Sequence, residues 1–435
     1  MTARVLEREV REILSRKVTG NLLGTFLLIP EYLRLGCWDL IKNWTGEEKD
    51  GINSKLALQL VNESALCVNR IREKKSLNHR GFAILNGLPF IATDKEIHKL
   101  LDSHTMRDAN QLQINLARLR NSLGHYKGDI WAFDPHRIVT HSKRIMPKKK
   151  SKPQTRSKRV LQTFFCVDAE TGQPFGFTLN SSGITVTEAS LKLLQMMSTA
   201  LPEKKSLLVA DSEYENSAFI SHISRSKRYD ILMPVAKFKK KMQIIKNLDY
   251  KRHFPGYATA ETAYSYKNRK EKVRLIGQRF GESKTNYSYK PFIATGNKLS
   301  LELLTENYPK RWKIEEFFNF EGALGWNRAS TMNLNIRYGK MSLALIAQAA
   351  SYQLKKKLPK PYRSWTAEHV ANSIFKGVDA DLRVNKNTII VTLYDVPERL
   401  RLKKYYENLP EKLKNEGVNP KIPWLYDFEI DFRFK

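Results

Sequence analysis

Two short apolar runs, IWAF at 130–133 and LLVA at 207–210, each end in an aspartate, Asp134 and Asp211. Runs this short and this apolar read as strands buried in a sheet. A carboxylate at the end of such a strand is costly unless it is paired, hydrogen-bonded or bound to a metal. If the two strands lie side by side, their acids meet at one edge of the sheet, and ligands of α/β proteins collect at the carboxyl ends of strands. The surrounding elements fit that arrangement. DIWAFDPHRIV, VLQTFFCVDAET and GQPFGFTLN read as strands, the last two joined by a hairpin turn in AETGQP. A helix in TEASLKLLQMMSTAL, opened by Thr187, then leads to the strand SLLVADSEY, a helix in NSAFISHISRS and a strand in YDILMPVA. Three hairpin-compatible strands followed by helix, strand, helix and strand predict a mixed α/β sheet with parallel pairing across the helix.

On either side of this core the pattern changes. Residues 1–125 read as mostly helical: FLLIPEYLRLGCWDLIKNW and LALQLVNESALCVNRI carry apolar residues at helical spacing, and ATDKEIHKLLDS and RDANQLQINLARLRNSLG each open on a Thr or Asp cap. That spacing fits a small helical bundle and a helix-turn-helix reader of DNA equally well. Residues 237–300, rich in Lys and Tyr, lose the helical period and read as a β-rich insertion ending in SYKPFIATGN. After it, GKMSLALIAQAASYQLKKKL reads as an apolar helix packed on the sheet, and 346–435 as the rest of that helix with a small module.

The charge balance narrows the partners. Seventy-five Lys and Arg against 44 Asp and Glu give +31, a surface that attracts polyanions, of which nucleic acid is the commonest. No run of about 18 apolar residues occurs, so no membrane partner is expected, and the charged N-terminus lacks the apolar centre of a signal peptide. Cys37, Cys67 and Cys166 are too scattered for a zinc ribbon or a disulfide framework, which points to a reducing, cytoplasmic setting.

The stretch YPKRWKIEEFF, 308–318, supplies a third acid. On a helix Tyr308, Arg311 and Glu315 share one face, while Ile314, Phe317 and Phe318 turn towards a core. One reading is a solvated helix with an i,i+4 Arg–Glu pair. The other places Glu315 beside Asp134 and Asp211, with Arg311 and Tyr308 on phosphate oxygens. Carboxylates that share a site repel, and hard oxygen donors favour Mg²⁺ or Mn²⁺. Two such ions about 4 Å apart serve in-line phosphoryl transfer. The rival acids are Asp129, which begins its strand, Glu213, two residues past Asp211, Asp168 and Glu170 in the hairpin turn, and Glu316 and Glu321 on the helix.

The blocks FDPHRI, LLVADSEYEN and YPKRWKIEEFF resemble the three acidic blocks of the DDE transposases of bacterial and archaeal insertion sequences, over about 126–345. The last block is similar to the subgroup signature Tyr, two residues, Arg, three residues, Glu, six residues, Lys. The resemblance implies an RNase H-like mixed sheet flanked by helices, a β-rich insertion before the last catalytic helix, and an N-terminal helical domain that binds DNA. It implies that Asp134, Asp211 and Glu315 are the catalytic residues and the ligands of Mg²⁺ or Mn²⁺, and that Tyr308 and Arg311 contact DNA. The implied activity is metal-dependent cleavage and strand transfer of double-stranded DNA, acting on terminal inverted repeats and a target as a homodimer or larger synaptic assembly, associated with the nucleoid. The signature lysine falls on Gly322, for which Arg328 is a substitute; a later register would make Glu321 the third acid. An RNase H-like nuclease or resolvase without strand transfer, and a non-catalytic DNA-binding derivative, are the alternatives.

Basic and aromatic stretches complete the expected DNA surface. HSKRIMPKKKSKPQTRSKR, 141–159, offers Lys148, Lys149, Lys150, Lys152, Arg156, Lys158 and Arg159 as a phosphate-gripping loop, against the plainer readings of a solvated loop or a nuclear-localisation segment. Lys237, Lys239, Lys240 and Lys241 open the insertion. Its tyrosines, Tyr257, Tyr264, Tyr266, Tyr287 and Tyr289, read as half-buried sheet packing with base stacking as the alternative. Trp312 and Trp326 are candidates to receive a flipped base.

Overall fold

The computed structural model describes residues 3–47, 51–68, 77, 79–143, 145–149, 156–180, 183–267, 269–327 and 331–435. The chain forms two compact units, one of residues 121–318 and one that joins 1–120 to 319–435.

In the 121–318 unit, five strands form the centre of a mixed sheet: β1 Ile130–Val139, β2 Lys158–Asp168, β3 Pro174–Asn180, β4 Ser206–Val209 and β5 Tyr229–Pro234. Their spatial order is β3-β2-β1-β4-β5. The first three pair antiparallel as successive hairpins, and β1, β4 and β5 run parallel. The parallel connections are made by helices α1, Val186–Ala200, and α2, Ser217–Arg225. Thr185 is the cap of α1, its hydroxyl accepting from Glu188 N at 3.2 Å; the expected Thr187 lies inside the helix. After a short helix α3, Lys239–Lys246, the insertion folds as a meander of β6 Lys251–Phe254, β7 Tyr257–Tyr264, β8 Val273–Phe280 and β9 Ser288–Ala294. It is not a separate module: β9 pairs antiparallel with β5, so the meander continues the central sheet.

In the other unit lies the apolar helix Leu334–Lys357. It is buried along most of its length among the helices Ile29–Arg34, Ile52–Ala65 and Asp94–Asp102. Ile52–Ala65 is buried on all sides, so it has no free face to read DNA. Its polar residues are satisfied internally: Tyr32 Oη donates to Asn62 Oδ1 at 2.8 Å, Asn62 Nδ2 to Asn86 Oδ1 at 2.7 Å, and Gln59 Nε2 to Glu63 Oε1 at 2.8 Å. The strands Val18–Gly20, Ala380–Asn385, Thr388–Leu393 and Glu429–Phe434 form a four-stranded sheet in this unit, so the C-terminal module is completed by an N-terminal strand. No helix among the described residues is long and apolar enough to cross a membrane.

One turn fixes where β1 begins. Asp168 is fully buried, and its Oδ2 accepts from Lys127 N and Gly128 N at 2.7 Å each, while Oδ1 accepts from Glu170 N at 2.8 Å and Thr171 N at 2.9 Å. A single carboxylate therefore ties the β2–β3 hairpin to the residues entering β1. Replacing it strands four backbone donors, two of them in the segment that sets β1. Asp168→Ala is expected to cost about 3–5 kcal/mol in urea unfolding; an unchanged transition midpoint would show that the turn does not anchor β1.

Candidate active site

The register of the central sheet brings the two strand acids together. Ala132 of β1 lies opposite Val209 of β4, and Val209 opposite Leu232 of β5. Carried on by two residues, Asp134, Asp211 and Pro234 come level on one face. Beyond Pro234, β9 contributes Phe292; on the other side Asp134 faces Phe165, which faces Phe177. The cross-strand row thus reads Phe177, Phe165, Asp134, Asp211, Pro234, Phe292, with two carboxylates in the middle of an otherwise apolar line. Asp134 does not end its strand, as IWAF suggests; β1 runs on to Val139, and what ends is its pairing with β4.

The helical segment that carries YPKRWKIEEFF lies over this row. It changes pitch as it goes, from a π turn at Leu303–Asn307 to a 3₁₀ turn at Tyr308–Arg311 to helix α4, Trp312–Glu321. Tyr308 packs edge-on against Phe292 with centroids 5.0 Å apart, while Phe317 and Phe318 stand 5.3 and 5.5 Å from Phe165. These contacts pin the segment at both ends. From Tyr308 to Phe318 a helix advances about 15 Å, close to the roughly 19 Å of four strand spacings between β9 and β2. Arg311 and Glu315 are therefore held above the acid pair: Arg311 Nη2 donates to Glu315 Oε1 at 2.5 Å, and its Nη1 lies 4.0 Å from Asp134 Oδ1.

The electrostatics follow from burial in that row. Burial pushes the Asp134 carboxyl well above the ordinary carboxylate range, and Asp211 adds repulsion that Arg311 only partly offsets. Asp211 is raised as well, first by burial and in spite of the Glu213 N–H that it accepts at 2.9 Å. Burial also raises the Tyr308 hydroxyl. Burial works against the Arg311 charge, but Tyr308, Glu315 and Asp134 outweigh it and hold the guanidinium firmly protonated.

A divalent cation fits this donor set in its chemistry: two half-buried hard-oxygen donors, forced towards the protonated state, are what such an ion relieves. The geometry shown is less complete. Among the described residues no group of three or more His, Cys, Asp or Glu converges to hold a metal, because Glu315 is turned into the fork of Arg311. The rival acids have cationic partners of their own, although Glu213 also lies close enough to raise both Asp134 and Asp211. Asp129 pairs with Lys204, which holds its carboxyl below the usual range; Glu213 pairs with Arg137, and Glu316 with Lys313 at 2.6 Å. Glu321 is buried and paired with Lys355 at 2.7 Å. At Gly322 a Cβ would lie 2.2 Å from the Asn327 side chain, so a lysine there requires Asn327 to move. Arg328 lies outside the described residues.

The expected basic surface is partly reproduced. Lys148 and Lys149 form a two-residue rung opposite Arg159 and Lys158, and Arg156, Lys239 and Lys240 are exposed; Lys150 and Lys152 lie outside the described residues. Lys149 reaches Gln162 Oε1 at 3.4 Å and Arg159 donates to Ser142 O at 2.9 Å. Lys241 does not belong to that surface: it is 7% exposed and its ammonium is bound by Glu215. Trp312 is 58% exposed, whereas Trp326 is fully buried and cannot receive a base. Most of the insertion tyrosines are half-buried, and Arg279 lies between the rings of Tyr250 and Tyr287 at 4.8 and 4.2 Å, as sheet packing predicts. Sequence reading passed over Arg137, on the strand of Asp134, and Lys290, near Tyr308. The alternation of β1 could have drawn notice to Arg137; Lys290 is visible only once β9 is paired with β5.

A family model described as "Transposase DDE domain" matches residues 125–349, just over half of the 435 residues and the same stretch that carries the resemblance of the three acidic blocks. No curated protein matches the chain. Among solved structures, a cryo-EM structure of the piggyBac transposase synaptic complex with hairpin DNA is similar at 11% identity and a TM-score of 0.42, with 83% of this chain and 82% of that chain covered.

The acid pair has a measurable pH signature. A carboxyl raised by folding contributes stability that is full below its unfolded pKa of about 3.9 and lost as pH rises through the raised value. In EDTA at about pH 8, Asp134→Asn is therefore expected to stabilise the protein by on the order of 1 kcal/mol, or about 2–4 °C in Tm, a gain that vanishes near pH 4. A destabilised variant at pH 8 would contradict the assigned repulsion.

Proposed function

The chain belongs to the transposase DDE-domain family, and we propose that it is a DNA transposase that cleaves DNA at the ends of an insertion sequence and joins them to a target. The observation that carries this reading is the placement of Asp134 and Asp211 at one level of adjacent parallel strands, beneath Arg311 and Glu315. The order β3-β2-β1-β4-β5, with three antiparallel and two further parallel strands, supports reading the core as RNase H-like.

Asp134, Asp211 and Glu315 would hold Mg²⁺ or Mn²⁺, two ions at full occupancy. A divalent cation there would supply Lewis acidity to an attacking oxygen and charge neutralisation to a leaving one. The chain's own groups do the rest. Arg311 is the phosphate clamp: its guanidinium now rests on Glu315, and a phosphodiester entering over the acid pair competes for the same fork, freeing the Glu315 carboxylate to turn towards Asp134 and Asp211. Tyr308, fixed against Phe292, keeps a protonated hydroxyl at neutral pH and donates it to a phosphate oxygen. The backbone N–H of Glu213 holds Asp211 in one orientation throughout. The N-terminal helices other than Ile52–Ala65, the basic residues Lys148, Lys149, Arg156, Lys158 and Arg159, and exposed Trp312 are assigned to the DNA duplex, in keeping with the net charge of +31. Two ends are brought together by a homodimer or larger assembly.

The decisive assay supplies DNA carrying the sequences that border the gene, with Mg²⁺ or Mn²⁺. Wild type is expected to cut at the ends and yield joined donor–target product, and Asp134→Ala to retain end binding while losing cleavage by about 10³-fold or more. Cleavage without joined product would make the protein a nuclease or resolvase, and end binding with no cleavage by wild type a non-catalytic derivative.

A further inference from the structure

Two lysines beside the candidate site stand without a counter-charge. β9 runs antiparallel to β5 with Phe292 opposite Pro234, and Val235 N donates to Pro291 O at 3.0 Å, which continues the pairing past the end of β5. Lys290 therefore comes level with Ala236, next to Lys237, at the same carboxyl edge of the sheet as Asp211. Both lysines are exposed, and among the described residues neither is joined to a carboxylate. The ammonium of Lys290 stands 5.2 Å from the centroid of Phe292 and 5.5 Å from that of Tyr308, so the aromatic pair that anchors the catalytic helix also forms its floor. Partial burial, then Arg311 and Lys237, hold its pKa below the ordinary lysine value. Three cations thus gather on one side of the acid pair, and only Arg311 has acids of its own.

An arrangement of like charges without counter-ions is relieved by a bound anion. Two strand spacings, about 10 Å, separate β9 from β4, so an anion on Lys290 is a neighbour of the reacting phosphate and distinct from it. We propose that Lys290 and Lys237 form a second phosphate subsite, which holds the DNA backbone next to the cleaved bond and sets its path over Arg311. The inference rests on the transposase reading, deepens it, and gives the site a cation where Gly322 provides none. Lys290 is a positioning residue: it touches a flanking phosphate and no reacting atom.

Binding of a duplex carrying the gene-bordering sequence, measured across a salt series, tests this. Lys290→Gln is expected to weaken binding three- to tenfold at moderate salt and to reduce the slope of log K against log salt by about one, and the double variant with Lys237→Gln by about two. Lys290→Arg should restore both slope and cleavage. Lys192→Gln, whose ammonium pairs with Glu188 on the exposed side of α1, should leave the slope unchanged. Equal slopes for wild type and Lys290→Gln, with unchanged Tm, would overturn the subsite while leaving the Asp134 result intact. A reduced slope in a protein that never cuts would keep the subsite and remove the transposase reading.

Discussion

The architecture turns on two carboxylates placed in a row of aromatic and apolar side chains. Phe177, Phe165, Pro234 and Phe292 make the row a packing surface, and Asp134 and Asp211 interrupt it at the position where β1 and β4 stop pairing. Burial of two like charges costs several kcal/mol in principle, and the fold offsets that cost only in part through Arg311 and a single backbone N–H on Asp211. The apolar flanks are what make this tolerable, because they clamp the covering helix at Tyr308 and at Phe317 and Phe318 and so leave Arg311 no other place to be.

The same clamp explains the irregular pitch of 303–321. A uniform α-helix anchored on both Phe292 and Phe165 has its side-chain phase fixed by its length alone. The π turn at Leu303–Asn307 and the 3₁₀ turn at Tyr308–Arg311 change that phase locally, and such irregularities recur at functional sites. The insertion contributes to the clamp too, since Phe292 belongs to its last strand. The meander thereby supplies one end of the helix anchor and, through Lys290, a charge at the same edge.

Much of the candidate site's placement was legible in the sequence because it depends on local signals. An apolar run ending in Asp is visible at 130–134 and at 207–211, and the spacing of Tyr308, Arg311 and Glu315 declares a common helical face without reference to any partner. What stayed hidden depends on pairing across the chain. Lys241 looks like one more surface lysine in KFKKK, yet it is buried against Glu215 from another segment. Trp326 has the same composition signal as Trp312, but only one of the two is exposed. The pattern of the apolar helix Leu334–Lys357 does not name its neighbours; the helices Ile29–Arg34, Ile52–Ala65 and Asp94–Asp102 that surround it emerge only from tertiary packing. Lys290 needed the β9–β5 register to become a neighbour of Arg311.

Asp134 and Asp211 repel each other, and a divalent cation bound between them would relieve that repulsion. Thermal unfolding with and without Mn²⁺ at neutral pH measures this directly. Wild type should gain several degrees in Tm as Mn²⁺ rises, by mass action on the folded state, and Asp211→Asn should lose that gain while being more stable than wild type in EDTA. A Mn²⁺-dependent rise of equal size in wild type and Asp211→Asn would contradict the account.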